Sequence, residues 1–181
     1  MWPGSRYIWR DSVGPVVGRC LRLRRGLKYR NLIGNRGKSV TQHDSIAVID
    51  RLEKVQMARD WDQFANLHAE SVVQFAPDRT EPRKGRSELV EFYRTFFDAF
   101  PDMDAKRERV FAQGEWVCAE YTVTGTHLKP LANPGGEPIP PTNRKVRVAN
   151  CSVYRVQGGK VVEVHEYFDQ LGFLAQLGVA P

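Results

Sequence analysis

A stripe of apolar residues at helical spacing predicts a helix between Ser87 and Pro101. Its members recur every three or four positions and so share one face: Leu89, Phe92, Tyr93, Phe96, Phe97 and Phe100. Serine is a residue type that caps helix N-termini, and Pro101 cannot continue a helix. An aromatic stripe of this kind is typical of a hydrophobic core, and it can also form the floor of a pocket.

Two shorter apolar patterns precede this helix. The first runs from Ile46 to Val55, and Asp44 or Ser45 is predicted to cap it. The second follows Asp60, which forms a capping box with Gln63. Its inward-facing residues are predicted to be Trp61, Phe64, Leu67 and His68, with His68 interpreted as a histidine at the edge of the core. Residues 71–75 then predict a short strand, and residues 77–85 a polar turn.

Alternating apolar and polar positions predict four long strands after Met103. Their predicted bounds are residues 104–112, 115–127, 145–156 and 160–168. Turns at Gln113–Gly114 and Gly158–Gly159 and a proline-rich loop over residues 130–144 connect them. Helices followed by antiparallel strands predict an α+β domain with the helices packed on one face of a curved sheet.

The last predicted strand carries an unusual set of ionisable residues. Strict alternation places two groups on opposite faces: Val161, Glu163, His165 and Tyr167 on one, and Val162, Val164, Glu166 and Phe168 on the other. Glu163 and His165 are then predicted to share a half-buried face with Asp169, which precedes a short helix. Three titratable groups there are more typical of a functional site than of a structural strand.

Charge is distributed unevenly along the 181 residues. Residues 1–39 contain ten Lys or Arg and one acidic residue, whereas residues 40–181 contain 17 basic and 20 acidic residues. The sequence therefore predicts a basic, disordered extension over residues 1–43 and a folded domain over residues 44–181. A disordered tail, an organelle presequence and upstream sequence from a wrong start assignment all remain open interpretations of the extension.

Composition excludes several classes of function for the folded domain. Its acidic balance argues against nucleic-acid binding, which leaves the basic extension as the alternative nucleic-acid binder. Three cysteines without CxxC spacing argue against disulfides and zinc, and no apolar run reaches the length of a membrane span. We therefore expect a cytoplasmic protein, or an organelle protein if residues 1–43 are a presequence.

Several short motifs in order resemble the SnoaL-like polyketide cyclase (ester cyclase) family of the nuclear-transport-factor-two-like superfamily. The resemblance covers about residues 44–179 and rests on AFPD at 99–102, GTH at 125–127, PIPPTNRKV at 138–146, GGKVVEVHEYFD at 158–169 and QLG at 176–178. His165 stands where the family usually has a bulky aromatic residue. Extra residues over 131–137 lengthen the loop before PPT and are expected to reshape a lid.

The resemblance implies a cone-shaped sheet wrapped around the helices, with an apolar pocket for a small apolar or polyketide-like molecule. It also implies cofactor-free and metal-free acid/base chemistry, such as an intramolecular aldol condensation, and a homodimer paired through the outer sheet face. Asp169 corresponds to the family's aspartate before the closing helix and is the first candidate acid/base; it is equally suited to cap that helix.

Further candidates follow from their residue types and positions. His127 and His165 are candidate catalytic groups. Glu163 is a candidate substrate-binding residue that either orients His165 or is an exposed carboxylate of the strand. Asn150 and Tyr154 are candidates to polarise a substrate carbonyl, with Phe96 and Trp61 as candidate walls of the pocket. The alternative to an enzyme is a non-catalytic ligand-binding or dimeric interaction module of the same fold.

Overall fold

The computed structural model describes residues 42–133 and 136–179, with side chains described from residue 44. The basic extension predicted for residues 1–43 lies outside the described residues, apart from the backbone of its last two. Two residues of the predicted insertion over 131–137 also lie outside them. Among the described helices, none combines the length and apolar character that a membrane span requires.

Four helices and six strands make up the described part of the chain. The helices are α1 (Gln42–Met57), α2 (Trp61–Asn66), α3 (Arg86–Ala99) and α4 (Gln170–Leu177). The strands are β1 (His68–Phe75), β2 (Arg83–Lys84), β3 (Asp104–Gln113), β4 (Trp116–Thr126), β5 (Lys145–Gln157) and β6 (Lys160–Phe168). The predicted bounds of the four long strands are therefore confirmed to within one residue at each end.

The strands form one mixed sheet in the order β2-β1-β6-β5-β4-β3. Strands β3 to β6 are the predicted antiparallel meander, while β1 runs parallel to β6 and antiparallel to β2. The α+β class is confirmed, and the sheet is open because β2 and β3 are its two edges. Gly158 and Gly159 have φ values of 57° and 77°, the positive values that their tight turn requires.

Two hydrophobic clusters hold the helices against the sheet. The larger includes Ile49 and Leu52 of α1, Phe64 of α2, Leu89 of α3 and buried residues of the strands. The smaller joins Phe100, at the end of α3, to Phe173 and Leu177 of α4 and to residues of β5 and the loop before it. Fully burying a large apolar side chain contributes about 1.5–3 kcal/mol, so these clusters supply most of the favourable term in folding.

One predicted helix cap is confirmed by the structure, and the caps predicted for two other helices are wrong. Asp60 caps α2 as predicted, accepting from Gln63 N at 3.1 Å and Gln63 Nε2 at 2.9 Å. Ser87 does not cap α3, because Gly85 is the N-cap, with a φ of 88°, and the helix begins at Arg86, two residues before a cap at Ser87 would start it. Helix α1 begins at Gln42, so the predicted caps Asp44 and Ser45 lie within its first turn.

A β-bulge in β6 corrects the predicted alternation. Val161 pairs with Val156, but the next residue of β5, Arg155, pairs with Glu163, so Val162 is an extra residue. The bulge resets the phase, and Val161 and Val164 both lie in the core although they are three positions apart. Val161 therefore does not share a face with Glu163, as strict alternation had predicted.

Candidate functional site

A cavity of about 230 Å³ lies between the helices and the sheet. Residues of α1, α3, α4, β1 and β3–β6 line it, together with the loop before β5. Much of the wall is apolar and aromatic: Phe92, Phe96, Phe100, Val148, Phe168 and Phe173. The volume lies below the roughly 300–1,000 Å³ typical of sites for drug-sized ligands, so the cavity has room for no more than about one or two rings.

Glu166 is the polar centre of this cavity. Its Oε2 accepts hydrogen bonds from Ser152 Oγ at 2.6 Å and from Asn150 Nδ2 at 3.0 Å. Its Oε1 accepts one from Tyr93 OH at 3.1 Å. A carboxylate offers about four lone-pair sites, so three are filled and one site on Oε1 remains open among the described residues.

The hydrogen of Tyr93 is directed to Glu166 by a chain of donors. Arg83 has no acceptor atom, so it must donate to Gln74 Oε1, at 3.2 Å. This fixes the Gln74 amide, whose Nε2 then donates to Tyr93 OH at 3.0 Å. Tyr93 is left to donate to Glu166, and Arg83 is itself fixed by an ion pair with Asp78 and by stacking on Phe92.

A second carboxylate, Glu53 of α1, also lines the cavity. It accepts from Tyr121 OH at 2.6 Å and from Arg107 NH1 at 3.1 Å. Burial raises the pKa of Tyr121, and it likewise raises the pKa of Tyr154, where the charge of Glu166 adds to the effect. Both phenols therefore stay protonated near neutral pH and can act only as hydrogen-bond donors or acceptors, not as bases.

Three of the sequence-predicted residues line the cavity. Asn150 and Tyr154 face it from β5, and Phe96 faces it from α3. Trp61 does not line it: the indole packs edge-on against Phe64 and Phe97 within the core. Asn150 also differs from its predicted role, because both hydrogens of its amide are used by Ser152 and Glu166 and neither is free to polarise a carbonyl.

Asp169 is exposed and lies outside the cavity lining. Its Oδ1 accepts from Gly172 N at 2.8 Å, which makes it the N-cap of α4. Of the two roles that the sequence left open, the capping role is therefore present in the structure. The acid/base role predicted for Asp169 stays a prediction that the geometry does not favour.

His127 is fully buried beside the cavity rather than in its lining. Its ring stacks on Phe100, and its Nδ1 accepts a hydrogen bond from Thr142 N at 3.3 Å. Burial lowers the pKa of His127, so the neutral ring is favoured. These contacts hold the loop before β5 against α3, while the buried Nε2 has no hydrogen-bond partner among the described residues. The catalytic role of His127 stays a prediction.

Glu163 and His165 lie on the outer face of the sheet. His165 Nε2 is 2.7 Å from Glu163 Oε1, and the ring stacks between Phe75 and Tyr167. The structure therefore brings these two residues together as predicted, but outside the cavity lining. The bulge at Val162 and the burial of Val164 turn Glu166, not Glu163, towards the interior.

The sequence analysis did not place four polar residues in a pocket, although the structure shows them in the cavity lining: Glu166, Ser152, Tyr93 and Glu53. Glu166 could have been detected from the sequence, because it alternates with the apolar Val164 and Phe168 on one face of the strand. An ionisable residue in such a position is a candidate for a polar site within the core. Tyr93 and Glu53 had no such signal. Tyr93 fits the apolar core stripe of its helix, and Glu53 fits the solvated face of its own helix. The partners of Tyr93 and Glu53 lie 73 and 68 residues away in the chain.

Comparison with known proteins identifies the family. The model of the SnoaL-like polyketide cyclase family matches residues 46–177, which is most of the chain. The protein belongs to the SnoaL-like polyketide cyclase family. A search of the curated proteins found no significant match.

Solved structures share the fold at low sequence identity. A protein described as a SnoaL-like polyketide cyclase from Jannaschia sp. CCS1 is 18% identical, with a TM-score of 0.67 over 82% of this chain and 99% of that one. IdmH from Streptomyces antibioticus, described as a polyketide cyclase, is 25% identical with a TM-score of 0.61, covering 75% and 99%. An LEH-like epoxide hydrolase of M. tuberculosis is 17% identical with a TM-score of 0.58, covering 75% and 90%. The fold is thus common to proteins described with different chemistries.

Proposed function

We propose that this protein is a cofactor-independent acid/base enzyme in which Glu166 removes a carbon-bound proton from a small apolar carbonyl compound. The observation that supports this most directly is the carboxylate of Glu166, held by three donors in a largely apolar cavity. A general base needs a fixed position and an open lone pair, and Glu166 has both. Family membership favours ring closure as the overall reaction.

The proposed chemistry begins with transfer of a proton from the carbon next to a carbonyl group to Glu166 Oε1. The electron pair of the broken C–H bond forms the enolate, and the carbonyl oxygen gains negative charge. Tyr154 lines the same cavity, and its raised pKa keeps its hydroxyl available as a donor to that oxygen. In ring closure, the enolate carbon then attacks a second carbonyl of the same molecule, and the alkoxide formed there takes the proton that Glu166 had accepted, which restores the carboxylate.

The first half of this reaction can be tested without the natural substrate. 1-Tetralone is a two-ring aryl ketone with exchangeable protons next to its carbonyl, and proton exchange into D₂O can be followed by NMR. We expect the wild-type protein to accelerate the exchange. We expect Glu166→Gln to lower the enzymatic rate by about 10²–10⁴, the usual contribution of a positioned base.

The matched control is Glu163→Gln, three residues away on the outer face of the same strand. It removes the same charge and should leave the exchange rate within about twofold, as expected for a change outside the site. Equal rates for Glu166→Gln and wild type, with both folded by circular dichroism, would reject the assignment. Binding of tetralone without any acceleration would support the alternative, a non-catalytic ligand-binding module.

We also propose that the protein is a homodimer paired through the outer face of the sheet. That face exposes large apolar side chains on four strands: Phe75, Phe111, Trp116 and Tyr167, with 40–58% of each accessible. Their neighbours include both signs of charge, with Arg109 paired to Glu120 and Arg155 near Glu163, so a second copy of the same face is electrostatically compatible.

Sedimentation velocity tests this second proposal. We expect wild type to sediment as a dimer at micromolar concentration and the double variant Phe111→Ser, Tyr167→Ser to sediment as a monomer. Leu171→Ser is the control, because Leu171 is equally exposed, at 61%, but lies on α4 rather than on the sheet. A monomeric wild type would reject the dimer and leave the cavity proposal unaffected.

A further inference from the structure

Two hydrogen-bond acceptors in the cavity lining have no protein partner. Asn150 Oδ1 and Gln170 Oε1 are both buried, and neither has a hydrogen-bond donor among the described residues. A buried polar atom without a partner is costly, and such atoms in native proteins commonly mark the place of a ligand or water. Both atoms are acceptors, so the missing groups are donors.

The orientation of the Asn150 amide is determined by its neighbours. Its Nδ2 donates to Ser152 Oγ at 2.9 Å and to Glu166 Oε2 at 3.0 Å. Rotating the amide by 180° would turn Oδ1 towards the Glu166 carboxylate, which has no hydrogen to donate. Oδ1 is therefore the atom that faces away from this network and remains without a donor.

The second acceptor lies at the same end of the cavity. Asn150 is the register partner of Phe168, and Gln170 follows Phe168 by two residues as the first residue of α4. Apart from the network of Ser152 and Glu166, the neighbouring lining residues in the chain are apolar: Phe168, Phe173 and Leu174. A ligand hydroxyl placed here has one hydrogen and can donate it to one of the two acceptors, while the rest of the molecule contacts the aromatic wall.

The charge of the lining restricts the ligand further. The described residues that line the cavity include three carboxylates, Glu53, Asp78 and Glu166, and include no lysine, arginine or histidine. Asp78 is already paired with Arg83 and Glu53 with Arg107, so among the described lining residues the carboxylate that repels a ligand carboxylate or phosphate is Glu166. The same surface attracts neutral molecules that donate hydrogen bonds.

We propose that the substrate is a neutral, hydroxylated ketone of one or two rings, whose hydroxyl group donates to Asn150 Oδ1 or Gln170 Oε1. The hydroxyl lies at the end of the cavity near α4, and the acidic carbon faces Glu166. This inference rests on the proposed function for the identity of the site, and it adds the donor requirement and the exclusion of acidic substrates.

Binding of matched ketones to the full-length protein tests the proposal. Isothermal titration with the 6-hydroxy, 6-methyl and 6-carboxy derivatives of 1-tetralone compares a donor, an apolar group of similar size and an anion. We expect the hydroxy ketone to bind at least about tenfold more tightly than the methyl ketone, because a hydrogen bond left unmade in the site costs affinity. We expect no measurable binding of the carboxylate.

Two variants locate the effect. Gln170→Met removes the acceptor at nearly constant volume, and we expect the hydroxy-to-methyl affinity ratio to fall to about threefold or less. Gln176→Met is the control on the same helix, since Gln176 contacts the backbone of Arg147 and does not line the cavity. Asn150→Leu should also lower the ratio, although it disturbs the support of Glu166 as well.

Equal affinity for the hydroxy and methyl ketones, or a ratio unchanged in both Gln170→Met and Asn150→Leu, would overturn the proposal. So would failure of every neutral ketone to bind at millimolar concentration. Proton exchange separates this inference from the proposed function. Preference for the hydroxy ketone without exchange would reject only the catalysis, whereas exchange without preference would reject only the donor requirement.

Discussion

Strand β6 presents two glutamates, three residues apart, to opposite faces of one sheet. Glu166, on the inner face, is fixed by Tyr93, Asn150 and Ser152 and opens to a cavity. Glu163, on the outer face, pairs with His165 beside exposed aromatic rings. The same residue type on the same strand is thus a candidate base on one face and part of a hydrogen-bonded pair on the other.

The comparison shows that residue types alone do not reveal which side chains line the cavity. Glu163 with His165 resembles a catalytic pair by composition, and it has a short contact of 2.7 Å. Among the described residues, the cavity lining on the inner face contains no histidine, and hydroxyl and amide groups donate to Glu166 instead. What distinguishes the two faces is enclosure, because low dielectric surroundings strengthen each polar interaction on the inner face.

The buried His68 and His165 on the outer face provide the next comparison. We expect the largest of the remaining effects, a pH-dependent loss of folding stability, at His68. His68 is buried against Phe64, and burial lowers its pKa from the ordinary 6.5 to about 4. The unfolded chain therefore binds a proton near pH 6.5 that the folded protein does not accept until pH 4. Folding stability should fall across this range as pH decreases, by about 3 kcal/mol.

Urea unfolding at pH 7 and at pH 4.5 measures this loss. His68→Gln cannot titrate but can still donate to the carbonyl of Phe64, and we expect it to show a shallower dependence on pH. His165→Gln, which removes a histidine from the outer face, serves as the control. A dependence as steep in His68→Gln as in wild type would show that other groups dominate.

Removing one of the hydrogen bonds that hold Glu166 should have a smaller effect, which we expect in the rate of proton exchange. Ser152→Ala deletes the 2.6 Å hydrogen bond to Oε2 and also leaves the Asn150 amide without one acceptor. We expect about tenfold slower proton exchange on tetralone, in kcat more than in KM, because the base is less well held. The measurement is the NMR exchange assay over a range of ketone concentration.

The control for this change is Thr122→Val on the neighbouring strand. Thr122 Oγ1 also donates to a carboxylate, Glu108 Oε1 at 3.1 Å, but this pair is exposed. We expect no change in exchange rate and a change in stability within about 0.5 kcal/mol. If the two variants lost activity equally, the distinction between the faces would be refuted.

The smallest effect is expected at Asp169, where two substitutions separate capping from catalysis. Asparagine is as good an N-cap as aspartate, whereas alanine costs about 1 kcal/mol. We therefore expect Asp169→Asn to match the wild type in stability and activity. Asp169→Ala should be less stable than the wild type but equally active. Loss of proton exchange in both variants, measured beside their unfolding midpoints, would restore Asp169 as the acid/base group.

Much of the fold could be predicted from the sequence because its signals are local. The aromatic stripe and Pro101 placed the end of α3, Asp60 and Gln63 placed the start of α2, and two glycines placed the turn before β6. Each of these depends on neighbours within four residues along the chain. The α+β class and the antiparallel meander followed from the order of such elements.

The site required the tertiary structure. Alternation along β6 defines two faces without saying which is inside, and the bulge at Val162 changes the phase within the strand. The groups that hold Glu166 come from α3 and β5, and no local pattern relates Tyr93 to a residue 73 positions later. The chain by itself therefore specified its helices, strands and turns through short-range periodicity and backbone geometry. Long-range packing decided which carboxylate is enclosed, because burial depends on what the rest of the chain brings against it.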